Sequence, residues 1–128
     1  MLAPQSDQES HPYLYARVIG IYHMDVIHTN TSPYPQRVEF LHVRFFLVDK
    51  EFQGGFTSRR YHRLNFANSD DQDAFGFVDP ARVIRGIHLI PAFAHSTTVD
   101  ELLGGSIARV YTDSDSPGED WKYYYVNM

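Results

Sequence analysis

The chain has no cysteine among its 128 residues. Disulfide frameworks, thiolate nucleophiles and Cys-based zinc or iron–sulfur sites are therefore excluded. No stretch approaches the roughly 20 apolar residues that span a bilayer as a helix, and Met1 to Ser10 lacks the basic patch and apolar run of a secretory signal. These absences predict an intracellular protein, nuclear or cytoplasmic, with no membrane partner. There is no GxSxG elbow, no GxGxxG, and no Lys-Ser/Thr after Gly104 and Gly105, so neither a serine-hydrolase turn nor a phosphate-cradling loop is signalled. Ser106 reads as an ordinary loop serine.

An excess of positive charge is also missing. The net charge is −5, which opposes indiscriminate binding to nucleic acid, because phosphate affinity accumulates from Lys and Arg. The charge is uneven along the chain. Residues 1–66 hold seven basic against six acidic side chains, and residues 67–128 hold four against ten.

Aromatic residues are plentiful: nine Tyr, nine Phe and one Trp make up 15% of the chain. Flat rings suit a pleated surface, so this composition favours strands over a helical bundle. The length fits one domain with a single core. Met1 to His11 is polar and reads as a flexible leader, leaving residues 12–128 as the folded unit.

Along that unit, Tyr13 to His28 predicts a long strand with Gly20 as a bulge or bend. Thr29 to Gln36 holds two prolines and predicts a loop. Val38 to Val48 predicts a second strand, antiparallel to the first, whose Leu41, Val43, Phe45 and Leu47 form the expected core face. Gly54 and Gly55 break the chain before a short strand over Arg59 to Phe66. Phe75 to Asp79 predicts a strand entering a turn, with Pro80 at its first helical position. Val83 to Phe93 is the third long apolar run, with Pro91 at its end or at a sheet edge. A capped turn over Thr98 to Leu103, a strand over Ile107 to Thr112, a polar loop over Ser114 to Asp120 and an aromatic strand over Trp121 to Val126 complete the series. The pattern predicts an all-β fold, a small antiparallel barrel of five to seven strands with helix confined to turns. Closure would remove the exposed edges that such apolar strands present.

Seven histidines, His11, His23, His28, His42, His62, His88 and His95, invite a metal or general-base reading. No two sit at HxH or HExxH spacing, so structural or surface histidines are the expectation and no metal or cofactor is implied. A small metal-dependent or hydrolytic enzyme using His23, His42 or His88 is retained as a contrasting reading. The carboxylates Asp70, Asp71 and Asp73, and Asp113, Asp115, Glu119 and Asp120, fall in polar loops where solvation is the ordinary outcome. The expectation is a non-enzyme.

Arg59, Arg60, Tyr61, His62 and Arg63 form the one basic cluster. Such a patch can hold phosphates and stack on a base, or it can pair with the acidic second half of the same domain. Among the aromatics, Tyr13, Tyr15, Tyr22, Phe45, Phe46, Trp121, Tyr123, Tyr124 and Tyr125 read chiefly as core filling, with an aromatic cage for a methylated lysine as the contrasting use. Trp121, Tyr123, Tyr124 and Tyr125 form a candidate contact surface, with Tyr123 and Tyr125 on one face of the strand and Tyr124 on the other.

The blocks HPYLYARVIGIYH, VEFLHVRFF, RRYHRLNF, DAFGFVDPARVIRGIHLIPAFAH and DWKYYYVNM follow one another over Tyr13 to Met128. In this order they resemble the C-terminal segment of proteins encoded by Plavaka-type transposable elements of mushroom-forming fungi, the block from Asp73 to Phe93 being the most specific. The resemblance brings no catalytic residues for this segment. It implies a piece excised from, or domesticated out of, a protein whose transposase domain lies upstream. It also implies a role in recognising DNA or chromatin or in assembling the element's proteins. The strand order is more distantly similar to bromo-adjacent homology domains, β-rich chromatin modules. Together these readings predict a non-catalytic interaction module of transposon origin with a protein or chromatin partner. Direct nucleic-acid binding through Arg59 to Arg63 is the alternative.

Overall fold

In the computed structural model, residues 13–55, 57–98 and 120–127 are described. The fold is all-β. Among the described residues eight strands run in chain order: β1 (Tyr15–Val26), β2 (Gln36–Val48), β3 (Arg63–Phe66), β4 (Phe75–Val78), β5 (His88–Pro91), β6 (Thr97–Thr98), β7 (Asp120–Trp121) and β8 (Tyr124–Asn127). Among the described residues helix is confined to two 3-10 turns, Gln72–Ala74 and Pro80–Arg82. The expected leader, the part of the Thr98 to Leu103 turn beyond Thr98, the strand over Ile107 to Thr112, Ser106, and the carboxylates Asp113, Asp115 and Glu119 lie outside the described residues.

β1 and β2 form a long antiparallel ribbon whose register shifts between Val18 and Gly20, where the bulge was expected. The main sheet runs β1-β2-β3-β8-β5, with β4 also paired to β2, and β6 and β7 make a separate pair. Every pairing is antiparallel.

The expected barrel is corrected to an open sheet. Closure requires strands long enough to tilt and stagger around an axis. Here β3, β4, β5 and β8 have four residues each, roughly 13 Å of chain. β1 and β5 therefore stand at opposite ends of the strand order. The third apolar run yields only His88–Pro91, since β8 is its partner and is no longer than that. Pro91 sits at the strand end on the sheet edge, as its missing N–H demands. The turn before it also matches expectation, with the Asp79 carboxylate accepting the Ala81 N–H at 2.9 Å and Pro80 at the first position.

The core face of β2 is corrected at its C-terminal end, Val43 being buried as expected. Phe46 is 3% exposed, whereas Leu47 is 51% exposed. Register decides this: Phe46 pairs with Phe66 on one side and Tyr15 on the other, and the Phe46 and Phe66 rings stack with centroids 4.5 Å apart. Tyr15, Phe46, Leu64, Phe66, Tyr124 and Val126 form the core, with Ile87, Leu89 and Trp121 packed around it. Burial raises the pKa of the Tyr15 phenol, with the nearby Tyr13 adding to the effect.

Two arginines belong to this interior. Arg44, on the Phe46 face, is fully buried. Its guanidinium donates to the carbonyls of Ala74, at 3.2 Å, and Ala67, and lies between the rings of Phe66 and Phe75. Arg17 bonds the Asp120 carboxylate and the Tyr124 hydroxyl, and it lies over Phe46, Phe66 and Tyr124. The expected solvated loop position of Asp120 is thus corrected to a buried, ion-paired place in β7. Asp70, Asp71 and Asp73 are exposed, as expected of solvated carboxylates.

Candidate interaction site

The chain leaves β2 at Asp49 and returns at Arg63, and the base of this excursion is closed by the Asp49 N–H donating to the Arg63 carbonyl at 2.8 Å. Nearer its tip, Gly55 and Arg60 exchange backbone hydrogen bonds at 2.6 and 3.2 Å, and the Ser58 hydroxyl donates to the Gly55 carbonyl at 3.1 Å. The glycines are required here. Gly55 has φ +115, and a Cβ on Gly54 would lie 2.7 Å from the Tyr61 carbonyl oxygen. Arg59 itself adopts φ 53, a left-handed conformation at the turn. The strand expected to begin at Arg59 therefore begins at Arg63, because the tight turn uses the intervening backbone.

Within the expected basic cluster the residues divide. Arg63 is a structural clamp. Its Nε and Nη2 donate to Asp49 Oδ2 at 2.9 and 2.7 Å, and its guanidinium carbon lies 4.4 Å from the Phe52 ring and 4.5 Å from the Tyr123 ring. Its Nη1 faces His95 Nε2 at 3.4 Å. Arginine is always the donor, so this contact requires Nε2 of His95 to accept and Nδ1 to carry the proton. Burial alone would raise the Asp49 pKa, but the Arg63 hydrogen bond, the backbone N–H groups of Glu51 and Phe52 and the Arg63 charge together bring it below the ordinary carboxylate value. Burial likewise works against the Arg63 charge, and the bonds to Asp49 and Tyr125 outweigh it, so its pKa is raised.

Arg59, Arg60 and Tyr61 are exposed, and His62 is half-buried with its carbonyl accepting the Val126 N–H at 3.0 Å. Arg60 reaches over Phe52 at 5.8 Å. Neither Arg59 nor Arg60 makes an ion pair among the described residues. The partner of the cluster's one paired arginine is Asp49, from the first half of the chain, rather than the acidic second half.

The aromatic end converges on the same place. Tyr125 pairs with Arg63 across β3 and β8 and approaches Phe52 at 5.8 Å. Tyr123 packs edge-on to His95 at 4.9 Å, in a turn held by the Ala92 N–H bonded to the Tyr123 carbonyl. Trp121 is half-buried against Phe93. Tyr124 is corrected from a contact residue to a core residue, because it packs edge-on to Phe46 and Phe66 and its hydroxyl is bonded by Arg17. The expected strand over Trp121 to Val126 breaks at Lys122 and Tyr123 into β7 and β8, which ends strict alternation there.

The structure therefore joins two regions far apart in sequence, the Arg59 to Arg63 turn and the rings of Tyr123 and Tyr125. It adds Asp49 and Phe52, which sequence reading did not select, and His95, which was read only as one of seven structural or surface histidines. Asp49 and Phe52 lay in the signal: they flank the Gly54–Gly55 break that had to fold back. A second surface was also missed. Tyr22, Phe40, Phe77, His42 and Phe75 form a continuous row of rings across β1, β2 and β4, with centroid spacings of 5.6, 5.5, 5.0 and 6.0 Å. The alternation of Phe40, His42, Arg44 and Phe46 marks this face.

The histidines of the contrasting enzyme reading are placed apart. His23 stands opposite Glu39 on β1, His42 stacks in the ring row of β2, and His88 lies on β5 at the far edge. Among the described residues no group of three His, Asp or Glu side chains is arranged to hold a metal ion, and no helix is long and apolar enough to cross a membrane. The chain matches no family model, no curated protein and no solved structure.

Proposed function

We propose that this chain is a non-catalytic interaction module that binds an acidic face of a partner protein, in a chromatin setting, through Arg59, Arg60 and Tyr61. One observation carries the reading: two arginines that make no ion pair among the described residues, and a tyrosine, are displayed on a turn whose base is clamped by Asp49, Arg63, Phe52 and Tyr123. Fixing the turn beforehand lowers the entropy lost when it docks. The resemblance to Plavaka-type proteins supplies the chromatin setting and the transposon origin. The test is binding of the chain to nucleosomes and to isolated histones, followed by fluorescence anisotropy, for the wild type and for Arg59→Ala with Arg60→Ala. The double variant loses binding on this reading, and unchanged binding refutes it.

Direct nucleic-acid binding is the second reading, favoured by exposed Tyr61 beside the two exposed guanidinium groups. With Arg63 bonded to Asp49, the tip of the turn offers two guanidinium groups to phosphates. Affinity for DNA or RNA would then fall with salt at a log–log slope of about −2. A protein with net charge −5 holding two phosphates binds weakly, which is why a protein partner is preferred. Tight binding to naked DNA with a steeper slope reverses the preference.

A further inference from the structure

The longest ribbon of the fold extends beyond its support. β3 joins β2 at Phe46–Val48 and β4 joins it at Leu41–Arg44, so the pairs from Tyr22 with Phe40 out to Val26 with Gln36 form a two-stranded arm. The arm is two-faced. Register and alternation put Tyr22, Met24, Val38 and Phe40 on one side and His23, Asp25, Arg37 and Glu39 on the other.

The apolar side of the arm is bare. Tyr22 is 50% exposed, Met24 51% and Phe77, which continues the row on β4, 69%. Two-stranded ribbons are marginal in water without a surface to pack on. No Asp, Glu, Lys or Arg belongs to the row formed by Tyr22, Met24, Val38, Phe40, His42 and Phe77.

We infer that this face is a homodimer interface, in which the arms of two copies pack ring row against ring row about a two-fold axis. Two arguments select a second copy as the occupant. The exposed part of the face carries no formal charge, Arg44 on the same side of β2 being fully buried, while the reverse of the same arm is charged, so its complement is another uncharged apolar sheet face, and an isologous contact supplies one. The area also fits. With Tyr22, Met24 and Phe77 at least half exposed and Val38 41% exposed, the row leaves on the order of 500 Å² of contiguous apolar surface, in the upper part of the range that monomers keep bare and often use for contacts. Two such faces together bury about 1,000 Å², the lower bound of a specific interface.

The interface is independent of the Arg59 to Tyr61 turn and tests separately from it. Sedimentation velocity of the full chain over a wide concentration range gives a dimer for the wild type and for Arg59→Ala with Arg60→Ala. Tyr22→Ser with Phe77→Ser weakens the dimer on the order of a hundredfold or more, the loss expected for two central rings. Phe77→Lys does the same by opposing like charges across the axis. Both substitutions alter exposed side chains, and unchanged circular dichroism and Trp121 fluorescence verify the fold. Ile21→Ser, on the charged reverse face, leaves the dimer intact. High salt does not dissociate it, as befits an apolar contact. A wild-type monomer at every concentration overturns the inference. So does a dimer that tolerates both ring-row variants, or one that Ile21→Ser dissociates equally.

Discussion

Arg63 meets the Asp49 carboxylate at 2.7 Å across the base of the turn that carries Arg59 and Arg60. The pair is 14 residues apart in sequence, and its guanidinium packs against the rings of Phe52 and Tyr123, so a substitution at Asp49 acts on both stability and presentation. Asp49→Asn keeps the shape but removes the charge that Arg63 bonds. The expected loss is about 2 kcal/mol, the range for hydrogen bonds to charged groups, measured by urea denaturation.

The same pair sets part of the response to acid. The folded-state pKa of Asp49 lies below its unfolded value. Its contribution is therefore fully present above the ordinary carboxylate pKa of about 3.9, and it is lost as pH falls through the lowered folded value. The acid limb of the wild-type stability curve is expected to be steeper than that of Asp49→Asn. Coincident slopes in denaturation series between pH 2 and 5, bracketing that ordinary value of about 3.9, would refute the assignment.

Arg44 is the least replaceable charged residue in the sheet. It is fully buried and bonds the carbonyls of Ala67 and Ala74, thereby tying the segment between β3 and β4 to β2. Arg44→Met fills similar volume but leaves both acceptors without this donor. A loss on the order of 3 kcal/mol is expected, with β4 exchanging its amide hydrogens faster than β1. Lysine is a poor substitute, because it lacks the planar fork and the stack on Phe66 and Phe75.

What the sequence made legible was local backbone chemistry. Gly20 marked the bulge, Asp79 and Pro80 the turn, and Pro91 a strand end, because each acts through its own φ, its own N–H or its nearest neighbours. The core face of β2 was legible at Val43 but not at the strand's end, since Phe45, Phe46 and Leu47 put apolar side chains on both sides and the choice depends on where Phe66 docks. The open edge was not legible either, for the length of β5 is set by its partner β8. The Arg59 to Arg63 cluster was visible as composition. Its division into a clamp and a displayed pair depended on Asp49, which only chain reversal at Gly54 and Gly55 brings near.

Phe46 and Phe77 give a direct contrast between rings of the two surfaces. Phe46 is stacked on Phe66 and buried on all sides, so Phe46→Ala is expected to cost about 4 kcal/mol, transfer and cavity terms together. Phe77 projects from β4, and Phe77→Ser is expected to change monomer stability by no more than about 0.5 kcal/mol. Thermal unfolding of both variants at low protein concentration checks this. Equal losses would mean that the ring row is a second core rather than a surface.

Tyr124 closes the link between the two ends of the chain. Its hydroxyl accepts from Arg17 Nη2 at 2.9 Å and from the Trp121 N–H at 3.1 Å, while its ring fills the core against Phe46 and Phe66. Tyr124→Phe keeps the ring and deletes only the acceptor. Arg17 retains Asp120, so its charge stays paired, but the Trp121 N–H is left to find water. The expected cost is about 1 kcal/mol, accompanied by a change in Trp121 fluorescence, because the indole follows the backbone that Tyr124 holds. Arg17→Met removes the partner of buried Asp120 and is expected to cost more, about 3 kcal/mol. Because the residues share one network, the double variant is expected to fall short of the sum. Strict additivity would show that Arg17 and Tyr124 stabilise the sheet independently.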